Sequence, residues 1–231
     1  MNDMKNIINE KPTNKLAGRM LFSVKFVDGE DIRNKRILNI GCGYGWFELY
    51  ALQKDAKEII GTEVSDDDLS TARKYINHSK VKFIAADDGN LPLDDQDFDT
   101  ITLWEVLEHI PRGTEARLFK EIYRVLKPGG VFYLSTPHRS FFSNISDPAW
   151  WLIGHRHYSN EQLTALLAHN DFKILDTKIK GGKWDLINNL NMYFSKWILR
   201  RSPILNSFFY NKIDREYGRN GFLSVFIKSI K

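Results

Sequence analysis

Short apolar runs alternate with longer stretches of helical spacing along most of this chain. Ile37, Leu38 and Ile40 form the first strand-like run, which flows into Gly41-Cys42-Gly43-Tyr44-Gly45 and then a helix-like stretch, Trp46–Gln53. Further strands are predicted over Glu58–Val64, Val81–Ala85, Phe98–Leu103, Val131–Thr136, Phe172–Lys180 and Phe222–Lys228. Helices are predicted over Leu69–Ile76, Thr114–Leu126 and Asn160–Ala168, with Lys127-Pro128-Gly129-Gly130 as the stop before the fifth strand. This alternation predicts an α/β protein with a parallel, doubly wound sheet and helices on both faces.

The first strand-to-helix turn carries the most chemistry. Glycines at alternating positions after a strand let backbone approach a ligand where a Cβ would clash. The amides that open the next helix suit an anionic or carboxylate-bearing ligand. Glu63 follows about twenty residues later, where doubly wound folds set an acid against ribose hydroxyls. Asp87-Asp88-Gly89 is an acidic turn after the third strand. Each element has a plainer reading: glycines for helix packing, Glu63 as a solvated carboxylate, Asp87 and Asp88 as a cap or turn. Asp66-Asp67-Asp68 is read as capping and charging the start of the next helix.

LNIGCGYG, Glu63, FIAADDGNLPLDDQDFDTI, LWEVLEHI and RVLKPGGVFYLSTP together resemble the class I S-adenosylmethionine-dependent methyltransferases, in the branch of small-molecule methylases. The resemblance covers roughly Lys35–Gly181. It implies a Rossmann-like sheet of seven strands, mostly parallel, with an antiparallel last strand and helical lid insertions. It also implies S-adenosylmethionine as cofactor. Gly41, Gly43 and Gly45 would pass under its methionyl part and ribose, and Glu63 would accept from the ribose hydroxyls. Asp87 would accept from the adenine amino group, with the Asp88 amide nearby, and Trp104 would touch the cofactor from the sheet edge. One residue departs from the pattern: Asn39 stands where relatives carry Asp, which removes a charge that could help hold the cofactor's ammonium.

Methyl transfer from a sulfonium is an in-line displacement in which positioning does much of the work, though an oxygen or nitrogen acceptor can need a base. Glu105, Glu108 and His109 after strand four and His138 after strand five are the candidates. The spacing of Glu105, Glu108 and His109 is also similar to that in quinone-pathway O-methyltransferases, where these groups can hold a divalent cation. Orienting roles are the alternative, and no metal is assigned.

The chain of 231 residues is read as a single domain: a core over 14–181 with an N-terminal helix, a lid insertion over 138–159, a helical insertion over 183–213 and the closing strand. Net charge is only +4, but residues from Gly181 onward carry nine Lys and Arg against three Asp and Glu, leaving −2 for the rest. The single cysteine, Cys42, excludes an intramolecular disulfide and fits a reducing cytosol. No apolar run spans a bilayer and the N-terminus does not read as a secretory signal, so a cytoplasmic protein is expected.

Substrate choice is expected in the two insertions. Between strand five and the next helix, Phe141, Phe142, Trp150 and Trp151 sit beside His138, Arg139, His155, Arg156 and His157, an aromatic lid with polar heads. His157-Tyr158-Ser159 reads as packing and helix capping, and no cysteine or ordered spacing supports zinc. In 184–212, aromatic and aliphatic residues interleave with Lys196, Arg200, Arg201 and Lys212. This suits peripheral contact with a membrane, or else a helical cap folded onto the lid. Together the insertions favour a small or lipid-linked acceptor, with oxygen the expected acceptor atom. An RNA methyltransferase is disfavoured because strand four ends in LWEV and no nucleic-acid-binding module is visible. A protein methyltransferase lacks a recognition domain, and a non-catalytic interaction module is disfavoured by the completeness of the cofactor residues.

Overall fold

The computed structural model describes residues 10–86, 90–146, 150, 154–201, 203 and 206–231, without the side chains of 142, 145, 146, 196, 197, 206 and 207. The seven strands are β1 (Arg36–Ile40), β2 (Glu58–Glu63), β3 (Val81–Ala85), β4 (Phe98–Trp104), β5 (Leu126–Pro137), β6 (Lys173–Lys180) and β7 (Ser224–Ile230). They form one sheet in the order β3-β2-β1-β4-β5-β7-β6. Only β7 is reversed, antiparallel to both β5 and β6. The order turns around at β1, so a crevice opens past the carboxyl ends of β1 and β4, where open α/β sheets bind ligands.

Helices α1 (Gly18–Phe26), α2 (Trp46–Gln53), α3 (Asp66–Tyr75), α4 (Glu115–Val125), α5 (Phe141–Ser146), α6 (Asn160–His169), α7 (Lys183–Tyr193) and α8 (Asn206–Tyr217) surround the sheet. Strand alternation divides the core. Leu38, Ile40, Ile101, Leu103, Phe132 and Leu134 pack with Leu118, Phe119 and Ile122 of α4 and Leu163 and Leu167 of α6. Ile37, Trp104, Tyr133 and Phe226 point the other way, onto Val24 of α1, Phe47 and Ala51 of α2 and Ile213 and Tyr217 of α8.

Two expectations are adjusted. Ser65, not the acids after it, caps α3 by accepting from the Asp68 amide, and Asp66, Asp67 and Asp68 fill the first turn, where they favour the helix dipole. Strand β5 begins at Leu126, directly after α4, because Leu126 already pairs with Phe98; the Lys127–Gly130 run is an irregularity within the strand. In the second insertion, α8 lays Ile213 and Tyr217 against α1 and the sheet. Helix α7 continues into a π-helical turn, Phe194–Ile198. Among the described residues no helix is long and apolar enough to cross a membrane.

Candidate functional site

The three glycines of the first turn do different things. All have positive φ, between +52° and +91°. A Cβ on Gly41 would overlap the Val106 side chain, and one on Gly45 would lie 2.9 Å from Ile76 Cδ1. These two glycines let the turn close against the segment after β4 and against α3. A Cβ on Gly43 would meet nothing within 4 Å, so Gly43 is the one that faces open space at the sheet edge.

Glu63, the last residue of β2, fastens that turn. Its Oε2 accepts from the Gly43 amide at 2.9 Å, and its Oε1 accepts from the amides of Val64 and Ser65 at 2.8 and 3.2 Å. A carboxylate oxygen has two lone pairs, so Oε2 keeps one for a donor arriving in the crevice. Beyond Glu63, Val64, Ala85, Ala86, Asn90 and Pro92 line a cavity of about 410 Å³ at the ends of β2 and β3. Asp87 and Asp88, expected beside it, lie outside the described residues.

Asn39 lies in the core. Alternation along β1 turns its side chain inward onto α2, where it is buried. Its Nδ2 donates to Glu48 Oε1 at 2.8 Å, and its Oδ1 accepts from the Thr102 hydroxyl at 2.8 Å, the two residues being direct partners across β1 and β4. Its amide is thus engaged in the core with Glu48 and Thr102. Glu48, which the sequence reading passed over, is fully buried, and its Oε2 has no partner among the described residues. Burial pushes its carboxyl from the ordinary value up to about 8, against the lowering effect of the Asn39 hydrogen bond. An acid in the first turn of an otherwise apolar helix was the available signal. Cys42 is buried beside it, and burial raises its thiol well above the ordinary range.

Trp104 follows the same parity as Asn39. Its ring packs with Phe47 and Tyr133, centroids 5.9 and 6.5 Å away, and its indole N–H has no partner among the described residues. Glu105, next along, turns the chain with φ +55°, a conformation that a non-glycine residue adopts at some cost. Its carboxylate takes the Ser135 hydroxyl at 2.6 Å and Arg19 Nη1 at 2.8 Å. Arg19 reaches over from α1, with Glu108, Asp185 and Tyr217 in its field. The Tyr217 hydroxyl donates to Asp185 Oδ2 at 2.7 Å. Nothing local in the sequence pairs Arg19 with Glu105, 86 residues away. Glu105 is therefore anchored from two sides, by Arg19 and by Ser135.

Glu108 is buried and accepts from the Thr136 hydroxyl at 3.0 Å. Burial first, then the charge of Glu105, holds its carboxyl well above the usual range. His109 leaves this cluster and meets the lid: its Nε2 is 3.3 Å from His155 Nε2. One ligand atom each from Glu108, His109 and His155 fall within 4.8 Å of one another, close enough to share a divalent cation. Glu105 is not in that set; His155 replaces it.

The lid is tied down by its exit. Arg156 donates to Glu115 and to the carbonyls of Leu107 and Ile110. Ser159 caps α6 in a capping box with Gln162, as its position suggested. His157 Nδ1 lies 2.8 Å from Asn144 Oδ1, and the ring lies against Trp150, centroids 4.9 Å apart. Phe141 is exposed, and Trp151 lies outside the described residues.

His138 leaves β5 directly after Pro137, half-buried. Its Nδ1 is 3.3 Å from the Phe222 carbonyl oxygen, which can only accept. The proton of the neutral ring therefore sits on Nδ1, and Nε2 carries a lone pair. Burial lowers its pKa and favours that neutral form.

Comparison with known proteins identifies the family. A family model described as a methyltransferase domain matches residues 14–177. A probable S-adenosylmethionine-dependent methyltransferase of Mycolicibacterium smegmatis is 31% identical over 141 residues, 61% of this chain and 53% of that protein. A ubiquinone biosynthesis O-methyltransferase of Coxiella burnetii is 30% identical over 121 residues, 51% of this chain and 50% of that one. The chain spans about half the length of the curated relatives it matches. The crystal structure of an S-adenosylmethionine-dependent methyltransferase from Mesorhizobium loti superposes with a TM-score of 0.65 over 91% of this chain and 96% of that one, at 18% identity. The chain belongs to the class I S-adenosylmethionine-dependent methyltransferases.

Proposed function

We propose that the protein methylates a small or lipid-linked acceptor at oxygen, with His138 as the base. The crevice fits S-adenosylmethionine at two points: the open space in front of Gly43, and the free lone pair of Glu63 at the end of β2. Glu63 would hold the ribose hydroxyls while the amides around Gly43 meet the methionyl end. When bound, the cofactor supplies an electrophilic methyl group. The chain's own residues do the rest. Arg19 and Ser135 fix Glu105 at the edge of β4, Arg156 holds the lid exit over the acceptor side, and His138 takes the hydroxyl proton on Nε2 as the acceptor oxygen attacks.

The observation that carries the oxygen reading is the 3.3 Å contact of His138 Nδ1 with the Phe222 carbonyl, which leaves Nε2 as the basic nitrogen, because an alcohol or phenol needs a base. The test is incubation with S-adenosylmethionine labelled at the methyl group and fractionated small-molecule and lipid extracts, followed by NMR of the labelled product. An O-methyl product agrees; label in RNA, in protein or on nitrogen overturns the reading.

A second reading has one observation behind it. The convergence of Glu108, His109 and His155 would let a divalent cation lower the acceptor hydroxyl's pKa in place of a base. Transfer abolished by a chelator and restored by one divalent metal would favour it over His138.

A further inference from the structure

Helix α7 begins at the site and ends at the surface. Its first-turn Asp185 is bonded to Tyr217 in the field of Arg19. From there Ile187, Leu190, Phe194 and Ile198 recur at spacings of three, four and four along α7 and the π turn that continues it. All four are exposed, Ile198 by 67%. From Ile187 to Ile198 the stripe runs roughly 16 Å at helical rise. Leu199 and, on α8, Phe208 and Tyr210 are further exposed apolar groups of the same insertion.

The charge around this stripe is one-sided. Residues 183–219 hold seven Lys and Arg against three Asp and Glu. All three acids are bonded inward: Asp185 to the Tyr217 hydroxyl, Asp214 to the Gly18 amide, and Glu216 to the amides of Trp184 and Asp185. Arg200 and Arg201, at the end of the stripe, are exposed and form no ion pair among the described residues. Lys212 lies on the Trp184 ring, its Nζ 3.7 Å from the centroid.

We propose that this face docks on an anionic lipid surface, its apolar stripe entering the interface while Arg200 and Arg201 meet the head groups. An apolar ridge closed by exposed cations is the chemistry that a negatively charged bilayer recognises. A second copy of the chain is a poorer occupant, since a two-fold contact sets the same patch against itself and brings the same excess of positive charge from both sides. The inference rests on the lipid-linked acceptor only for the direction of delivery, from the bilayer along α7 to the site.

The test is cosedimentation of the full chain with vesicles of phosphatidylcholine alone or mixed with phosphatidylglycerol, at low and high salt. Binding is expected only to the mixed vesicles and should weaken as salt rises. Ile198→Asp should reduce the partition coefficient about tenfold, and Arg200→Gln or Arg201→Gln about fivefold each. Circular dichroism and cofactor calorimetry check that each variant is folded; Ile187→Asp serves if Ile198→Asp is not. Wild-type protein left in the supernatant with both vesicles overturns the proposal. So does a dimer that Ile198→Asp splits, which would give the face to a second copy. Vesicle binding is read without methyl transfer, so it can fail while cofactor binding and transfer succeed.

Discussion

Asn39 donates its amide proton to Glu48 at 2.8 Å inside the core, and the other oxygen of Glu48 has no partner among the described residues. A buried carboxyl so placed keeps its proton in the folded state up to about pH 8, whereas the unfolded chain loses it near the ordinary value. Between those two values the unfolded state binds fewer protons, so this group makes stability fall as pH rises. Glu48→Gln keeps the acceptor for Asn39 and removes the titration. It should match the wild type near pH 4.5 and exceed it by about 4 kcal/mol at pH 8, read from urea unfolding at both. Parallel stability curves for the two proteins would remove Glu48 from the account.

Gly41 and Gly43 separate packing from binding. Gly41→Ala forces a methyl into Val106 and should cost about 3 kcal/mol of stability. Gly43→Ala meets nothing, so its stability cost is only the left-handed backbone, about 1 kcal/mol. Its methyl would instead enter the ligand side of the turn and lower cofactor affinity by on the order of tenfold. Thermal melts and calorimetry on the same two samples check the contrast; equal affinity in Gly43→Ala and wild type would put the ligand elsewhere.

The sheet was legible because strand and helix periods differ and each strand ends in a turn signal. The predicted runs Trp46–Gln53 and Val81–Ala85 coincide with α2 and β3. The orientation of single side chains along a strand was harder to see. LNIG shows that Asn39 precedes the glycines, but only the pairing of β1 with β4 turns it toward Thr102 and Glu48. The same parity buries the Trp104 ring. Contacts between distant segments, such as Arg19 with Glu105 or His109 with His155, leave no local pattern at all.

Glu63 accepts from three backbone amides before any ligand arrives. Glu63→Ala therefore strands the donors that shape the turn as well as the ribose hydroxyls. Cofactor binding should weaken by about 1–3 kcal/mol, with a melting temperature lowered in parallel. Calorimetry with S-adenosylmethionine and S-adenosylhomocysteine should show the same loss for both, since both carry the ribose. Wild-type affinity in this variant would sink the assignment.

The pH dependence of methyl transfer reports on His138. The ring must be neutral for Nε2 to accept a proton, so activity should fall on the acid side as the ring protonates. Burial lowers its pKa, which places that acid limb below the ordinary histidine value of 6.5. The groups that act on it are the Phe222 carbonyl and Glu161, which favour the charged ring, and His157, which opposes it. His138→Gln should lower kcat by about 10²–10⁴-fold while leaving cofactor affinity close to wild type, and the acid limb should disappear from its residual activity. Glu161→Gln removes a charge that favours the protonated ring and should move the limb to still lower pH. A limb unchanged in both variants would transfer the base role to His109, which meets the lid at His155.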